Sequence, residues 1–147
     1  MISRTRLQQQ LADLQDVTAP GKGINRLAFT DADWQGRAYL MGLMREAGME
    51  LREDAFGNVI GHVKGADESL PAVMFGSHGD SVPQGGNFDG IVGILAAIET
   101  CGKCPLGSFQ KGNIENFLIG HDSHEFLLGC THACHRRGAG YGEDFIA

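Results

Sequence analysis

The chain has 147 residues, a formal net charge of −6, and 42% hydrophobic and 20% charged residues. That length fits one domain with a sizeable core, and the balance is that of an ordinary soluble globular protein. An acidic chain without a basic stripe argues against a nucleic-acid or anionic-membrane partner. No apolar run approaches the roughly 20 residues of a membrane span and no signal-type apolar stretch follows the N-terminus, so a cytoplasmic protein is expected.

Residues 3–16 place Leu7, Leu11 and Leu14 at helical spacing, and Ala19-Pro20-Gly21 stops that helix. Gly21-Lys22-Gly23-Ile24-Asn25-Arg26 has the look of a dinucleotide fingerprint, but it follows a helix and a turn rather than a strand, so a phosphate site is not expected there. Thr30 reads as an N-cap with Asp33 at the third helical position. The helix it opens, to about Ala47, would bury Trp34, Ala38, Met41 and Met44, with Gly48 as its C-terminal stop. From Met49 to Asp54 apolar and polar residues alternate, as in a strand with one wet face. A turn at residues 55–58 leads to a second strand over 58–64, and the two form a hairpin with His62 at the surface.

Pro71-Ala72-Val73-Met74-Phe75-Gly76-Ser77 is a continuous apolar run, which predicts a central strand covered on both faces. A helix from Gly90 to about Thr100 carries Ile91, Ile94, Leu95 and Ile98 at core spacing. Helix, hairpin, buried strand and helix together make an α/β layered domain.

Chemistry concentrates where the apolar run ends. Open α/β sheets bind ligands beyond the carboxyl ends of their strands, and His78 and Asp80 fall there. Imidazole and carboxylate suit a divalent transition metal. Asp80 either ligates such an ion or accepts the second ring N–H of His78. Asp89 is either a plain N-cap or a carboxylate bridging two ions, with Gly85, Gly86 and Gly90 letting the backbone crowd them. Cys101, Cys104, Cys130 and Cys134, with His135 adjacent, are read as reduced thiols, and their short spacings offer a second metal-site hypothesis.

Several ordered blocks carry a resemblance. They are Arg26-Leu27-Ala28-Phe29-Thr30, Gly36-Arg37, Met44-Arg45-Glu46-Ala47-Gly48-Met49, Arg52-Glu53-Asp54-Ala55-Phe56-Gly57-Asn58-Val59, Gly76-Ser77-His78-Gly79-Asp80-Ser81-Val82-Pro83 and Gly85-Gly86-Asn87-Phe88-Asp89-Gly90. Over about residues 5–100 the chain resembles the N-terminal part of the amidase, hydantoinase and carbamoylase family. These di-metal amidohydrolases include N-carbamoyl-L-amino-acid hydrolases and allantoate amidohydrolases and are related to zinc aminopeptidases. The resemblance implies a mixed sheet flanked by helices in a partial catalytic domain over 1–100, followed by an irregular tail over 101–147. It implies two divalent ions, Zn, Mn or Co, with His78 and Asp89 as metal ligands and Asp80 as the catalytic-site residue that holds His78. The implied reaction is hydrolysis of a small-molecule amide or ureido C–N bond.

The chain departs from that pattern after residue 100. The family's Glu-Glu pair falls on His121 and Asp122, and the later metal histidines and the dimerisation domain have no counterpart, so the family-type homodimer is not expected. His121, His124, His132, His135, Arg136 and Arg137 crowd a segment with little apolar patterning. A shortened, inactive chain whose last third is read in a shifted frame would explain this. A non-catalytic metal-binding or interaction module built on the Cys/His tail is the alternative.

Overall fold

The structure is a computed structural model that describes residues 2–65, 73–102 and, for the backbone alone, 114–120. Its elements are α1 (Arg4–Gln15), α2 (Asp31–Glu46), β1 (Glu50–Glu53), β2 (Val59–Val63), β3 (Ser77–His78), α3 (Ile91–Cys101) and β4 (Ile114–Gly120). The expected α/β architecture is present as a mixed sheet in the order β1-β2-β4-β3. β1 pairs antiparallel with β2, β2 antiparallel with β4, and β3 parallel with β4.

Local chemistry explains where the elements start and stop. The Ser3 hydroxyl accepts the Arg6 N–H at 3.3 Å to cap α1, and the Thr30 hydroxyl accepts the Asp33 N–H at 3.4 Å to cap α2. The end of α2 is closed by Gly48 N–H bonding Arg45 O and Met49 N–H bonding Met44 O, the paired bonds of a Schellman motif. In the β1–β2 turn, one Asp54 carboxylate oxygen accepts the backbone N–H groups of Phe56 and Asn58, both at 2.9 Å. The other takes the Asn58 amide at 2.7 Å.

One apolar core joins the layers. Leu14 of α1, Leu40 and Met44 of α2, Val59 of β2 and Ile91, Ile94, Leu95 and Ile98 of α3 are all buried in it, together with Met49 and Cys101. The four α3 positions expected from spacing are thus all core. At the outer end of α3 the buried Glu99 carboxylate binds Arg6 through both oxygens and accepts the Ser3 N–H at 2.7 Å, which ties α1 to α3.

Two expectations are corrected. Of the expected stripe Trp34, Ala38, Met41 and Met44, Met44 is core and Met41 packs against it half-buried, but the rest of the buried face of α2 is Ala32, Asp33, Gly36, Arg37 and Leu40. Trp34 is 48% exposed and Ala38 is exposed. A hydrophobicity count misses this face because two of its members are charged. Asp33 and Arg37 neutralise one another one turn apart at 3.3 Å, Asp33 accepts the Phe29 N–H, and Arg37 donates to Gly57 O. The apolar run before His78 is also not a long central strand. Among the described residues of the run and its end only Ser77–His78 pair, β3 stands at one end of the sheet order, and Val73 is 54% exposed. The interior positions of the described sheet go to β2 and β4, the latter from the stretch past residue 100 that periodicity left unassigned.

Ala38→Gln should change unfolding free energy by no more than about 0.5 kcal/mol. Leu40→Ala should cost about 2–5 kcal/mol. Urea unfolding of the two variants checks which face of α2 is core.

Candidate metal centre

His78 is the last residue of β3, and the parallel register sets it opposite Gly120 of β4. Its ring is held from both sides. On one side Nδ1 lies 3.2 Å from the Asp80 carboxylate Oδ1 and 3.2 Å from the Asp80 carbonyl. On the other, Nε2 lies 3.6 Å from Asp89 Oδ2. Asp80 is buried, the imidazole is 19% exposed, and Asp89 is 84% exposed, so the line Asp80–His78–Asp89 runs from interior to solvent. The hydrogen bond to Asp80 raises the His78 pKa above its ordinary value. Burial opposes it, and the negative charges of Asp80 and Asp89 add to it.

Asp89 does not cap α3. The N-cap is Gly90, which makes no side-chain cap hydrogen bond, and this leaves the Asp89 carboxylate for His78. Gly90 is the close contact of the site. It adopts φ +69°, and a Cβ there would lie 2.3 Å from His78 O and 2.8 Å from His78 Nε2. Only glycine combines that backbone with that approach. Gly86 has no such role, since a Cβ there would meet nothing within 4 Å. Gly85 instead exchanges backbone hydrogen bonds with Ile24, at 2.9 and 2.8 Å, which pins the far side of the loop.

The donor set fits a divalent ion. Nδ1–H bonded to a carboxylate leaves the Nε2 lone pair for a metal, the usual outer-sphere support of a metal histidine. Two donors on one tetrahedral ion with bonds of about 2.0–2.1 Å lie roughly 3.4 Å apart, close to the 3.6 Å between Nε2 and Asp89 Oδ2. Among the described residues no group of three or more His, Cys, Asp or Glu side chains converges, so they supply two donors. His121, Asp122, Cys104, Cys130, Cys134 and the tail histidines lie outside the described residues. Cys101 is described, buried and part of the core.

Sequence reasoning missed Arg26 as part of this neighbourhood. Its side chain is almost fully enclosed, and its Nε donates to Gly79 O at 2.8 Å, between His78 and Asp80. Its membership of an ordered block was visible; its burial was not. Among the described residues no helix is long and apolar enough to cross a membrane.

No family model matches the chain. The chain is 45% identical over 115 residues to a ureidoglycolate hydrolase of Arabidopsis thaliana, which is 77% of this chain and 24% of that one. It is 42% identical over 122 residues to an N-carbamoyl-L-amino-acid amidohydrolase of Paenarthrobacter aurescens, 83% of this chain and 27% of that one. A match of that length must run past residue 100, where the ordered blocks were expected to end, and it takes in the β4 stretch. Among solved structures, a hydantoinase/carbamoylase family amidase from Burkholderia ambifaria superposes with a TM-score of 0.69 at 36% identity, covering 78% of this chain and 29% of that one. The chain therefore spans about a quarter of the length of the relatives it matches. Over the stretch they share, it belongs to the hydantoinase/carbamoylase family of amidohydrolases.

Proposed function

We propose that residues 2–102 carry one half of the metal centre of an amidohydrolase, with His78 and Asp89 as ligands and Asp80 holding His78. The observation that carries this reading is the line Asp80–His78–Asp89, in which one ring nitrogen is satisfied by a buried carboxylate and the other faces an exposed one. The substrate class is a small molecule with an amide or ureido C–N bond, as the names of the relatives suggest for those proteins. No membrane or nucleic-acid partner enters this reading, and the setting is cytoplasmic.

Zn, Mn or Co would be held by His78 Nε2 and the Asp89 carboxylate, both suited to borderline and hard divalent ions. Such ions supply Lewis-acid polarisation of a carbonyl and a nucleophilic water near neutral pH. The chain's own residues supply the geometry. Asp80 fixes the imidazole orientation, and Gly90 lets the first turn of α3 press on the ring. The exposed Asp89 meets ligand from the solvent side. Gly120, the end of β4, pairs with His78, and the next two residues in sequence, His121 and Asp122, have side chains suited to further ligand positions.

His78→Ala and Asp89→Ala should each abolish Co²⁺ binding at this centre, read by isothermal titration. Retention of wild-type affinity in both would sink the assignment. Asp80→Asn should weaken Co²⁺ binding by about 10–100-fold, as loss of an outer-sphere carboxylate does. Gly90→Ala, with its Cβ driven into His78, should reduce Co²⁺ affinity at least as far as Asp80→Asn in protein whose far-UV circular dichroism stays native. Turnover of N-carbamoyl-L-amino acids and ureidoglycolate by purified protein with Mn²⁺ or Co²⁺, above metal-only controls, tests the activity. Absence of turnover together with intact Co²⁺ binding would leave a metal centre without hydrolase competence.

A further inference from the structure

Arg26 lies outside the line of groups assigned to the metal centre, yet it touches the chain between His78 and Asp80. Its Nε donates to Gly79 O at 2.8 Å, and its Nη1 donates to Leu14 O at 3.0 Å and Val17 O at 2.8 Å, the carbonyls at the end of α1. Its backbone completes the grip. Arg26 N–H donates to the Ser81 hydroxyl at 2.9 Å, Ser81 N–H donates to Arg26 O at 2.8 Å, and the Ser81 hydroxyl donates to Ile24 O at 3.2 Å. Gly79 and Ser81, the residues on either side of Asp80, are therefore both fastened to one arginine.

The side chain has been given room for this. A Cβ on Gly36 of α2 would stand 2.6 Å from Arg26 Cδ. Arg26 is 1% exposed, and burial lowers its pKa, while the negative charges of Asp33 and Asp80 oppose that shift. Among the described residues no carboxylate bonds this guanidinium directly, which makes it a costly group to enclose, and its hydrogen-bond acceptors there are three backbone carbonyls. An aliphatic residue would fill the same volume without that cost. What the guanidinium adds is a directed bond to Gly79 O, and with it a defined path for the peptides that bring Asp80 back onto His78 Nδ1.

We propose that Arg26 is a positioning residue for the metal centre: by fastening Gly79 and Ser81 to the end of α1 it sets the Asp80–His78 hydrogen bond, and through it the direction of His78 Nε2. This rests on the reading of His78 and Asp89 as ligands for its consequence in metal binding, but not for the Asp80–His78 geometry itself. A lysine at 26 can reach one carbonyl but cannot span Gly79 O and the α1 carbonyls with a planar fork. Gly36→Ala keeps the arginine and displaces its side chain, so it reports on placement rather than charge.

The test uses the full chain as wild type, Arg26→Lys and Gly36→Ala. Nitrogen-15 spectra of the metal-free proteins read the His78 tautomer, Co²⁺ titration reads affinity, and thermal melting shows that each variant is folded. Wild type should show the Nδ1–H tautomer as the dominant form. Both variants should show mixed tautomers and bind Co²⁺ about 10-fold or more weakly. Folded variants whose His78 tautomer is that of wild type overturn the inference, whatever happens to their melting temperatures. If Arg26→Lys does not fold, Gly36→Ala decides by the same readouts. A wild type that binds no Co²⁺ defeats the metal reading alone, because the tautomer comparison still judges Arg26.

Discussion

The close approach of α3 to His78 is the constraint on which the rest of this structure depends. With Gly90 in a left-handed conformation against the His78 carbonyl and ring, the helix axis, the strand end and the imidazole occupy fixed relative positions. The buried face of α3 then meets the core through Ile91, Ile94, Leu95 and Ile98, so the energy that seats the helix also seats the histidine. The ion pair of Glu99 with Arg6 fastens the other end of α3 to α1. A helix held at both ends gives the imidazole a rigid backing, which a preorganised metal ligand requires.

The second support comes from the N-terminal side. Residues 18–26 form a strap behind the loop that follows His78. Ile24 pairs with Gly85, the Asn25 side chain accepts the Gln84 N–H at 2.8 Å, and Arg26 binds Gly79 and Ser81. The glycine-containing segment 21–26, which has the outline of a phosphate loop, is used here to pack backbone on backbone. A short motif acquires its meaning from what lies against it.

The membership in an amidohydrolase family and the geometry at His78 carry different weight. The first rests on ordered identity across most of the chain, the second on three side chains in a line. The chain covers about a quarter of its relatives' length, and the described residues bring together the two proposed metal donors, His78 and Asp89, with the Asp80 carboxylate behind His78. Their chemistry is nevertheless self-consistent. The buried carboxylate of Asp80 is hydrogen-bonded to His78, and the carboxylate of Asp89 lies exposed to solvent.

By itself the sequence determined the helices, the β1–β2 hairpin, the caps at Thr30 and Gly48, the core face of α3 and the candidate trio His78, Asp80 and Asp89. Each of these follows from local periodicity, cap chemistry or residue type within a few positions. Tertiary structure alone decided the rest. The core face of α2 includes Asp33 and Arg37 because their charges cancel within the fold, which no hydrophobicity pattern records. Among the described residues the run before His78 yields a two-residue strand at one end of the sheet order, and β4 joins β2 at the interior positions, because strand order depends on pairing between distant segments. Asp89 turns toward His78 rather than capping α3, and Arg26 is buried against Gly79, because both outcomes depend on contacts across more than ten residues of sequence. Residue types name the candidates for a metal site, and the packing of α3 and of the N-terminal strap determines which of them face one another.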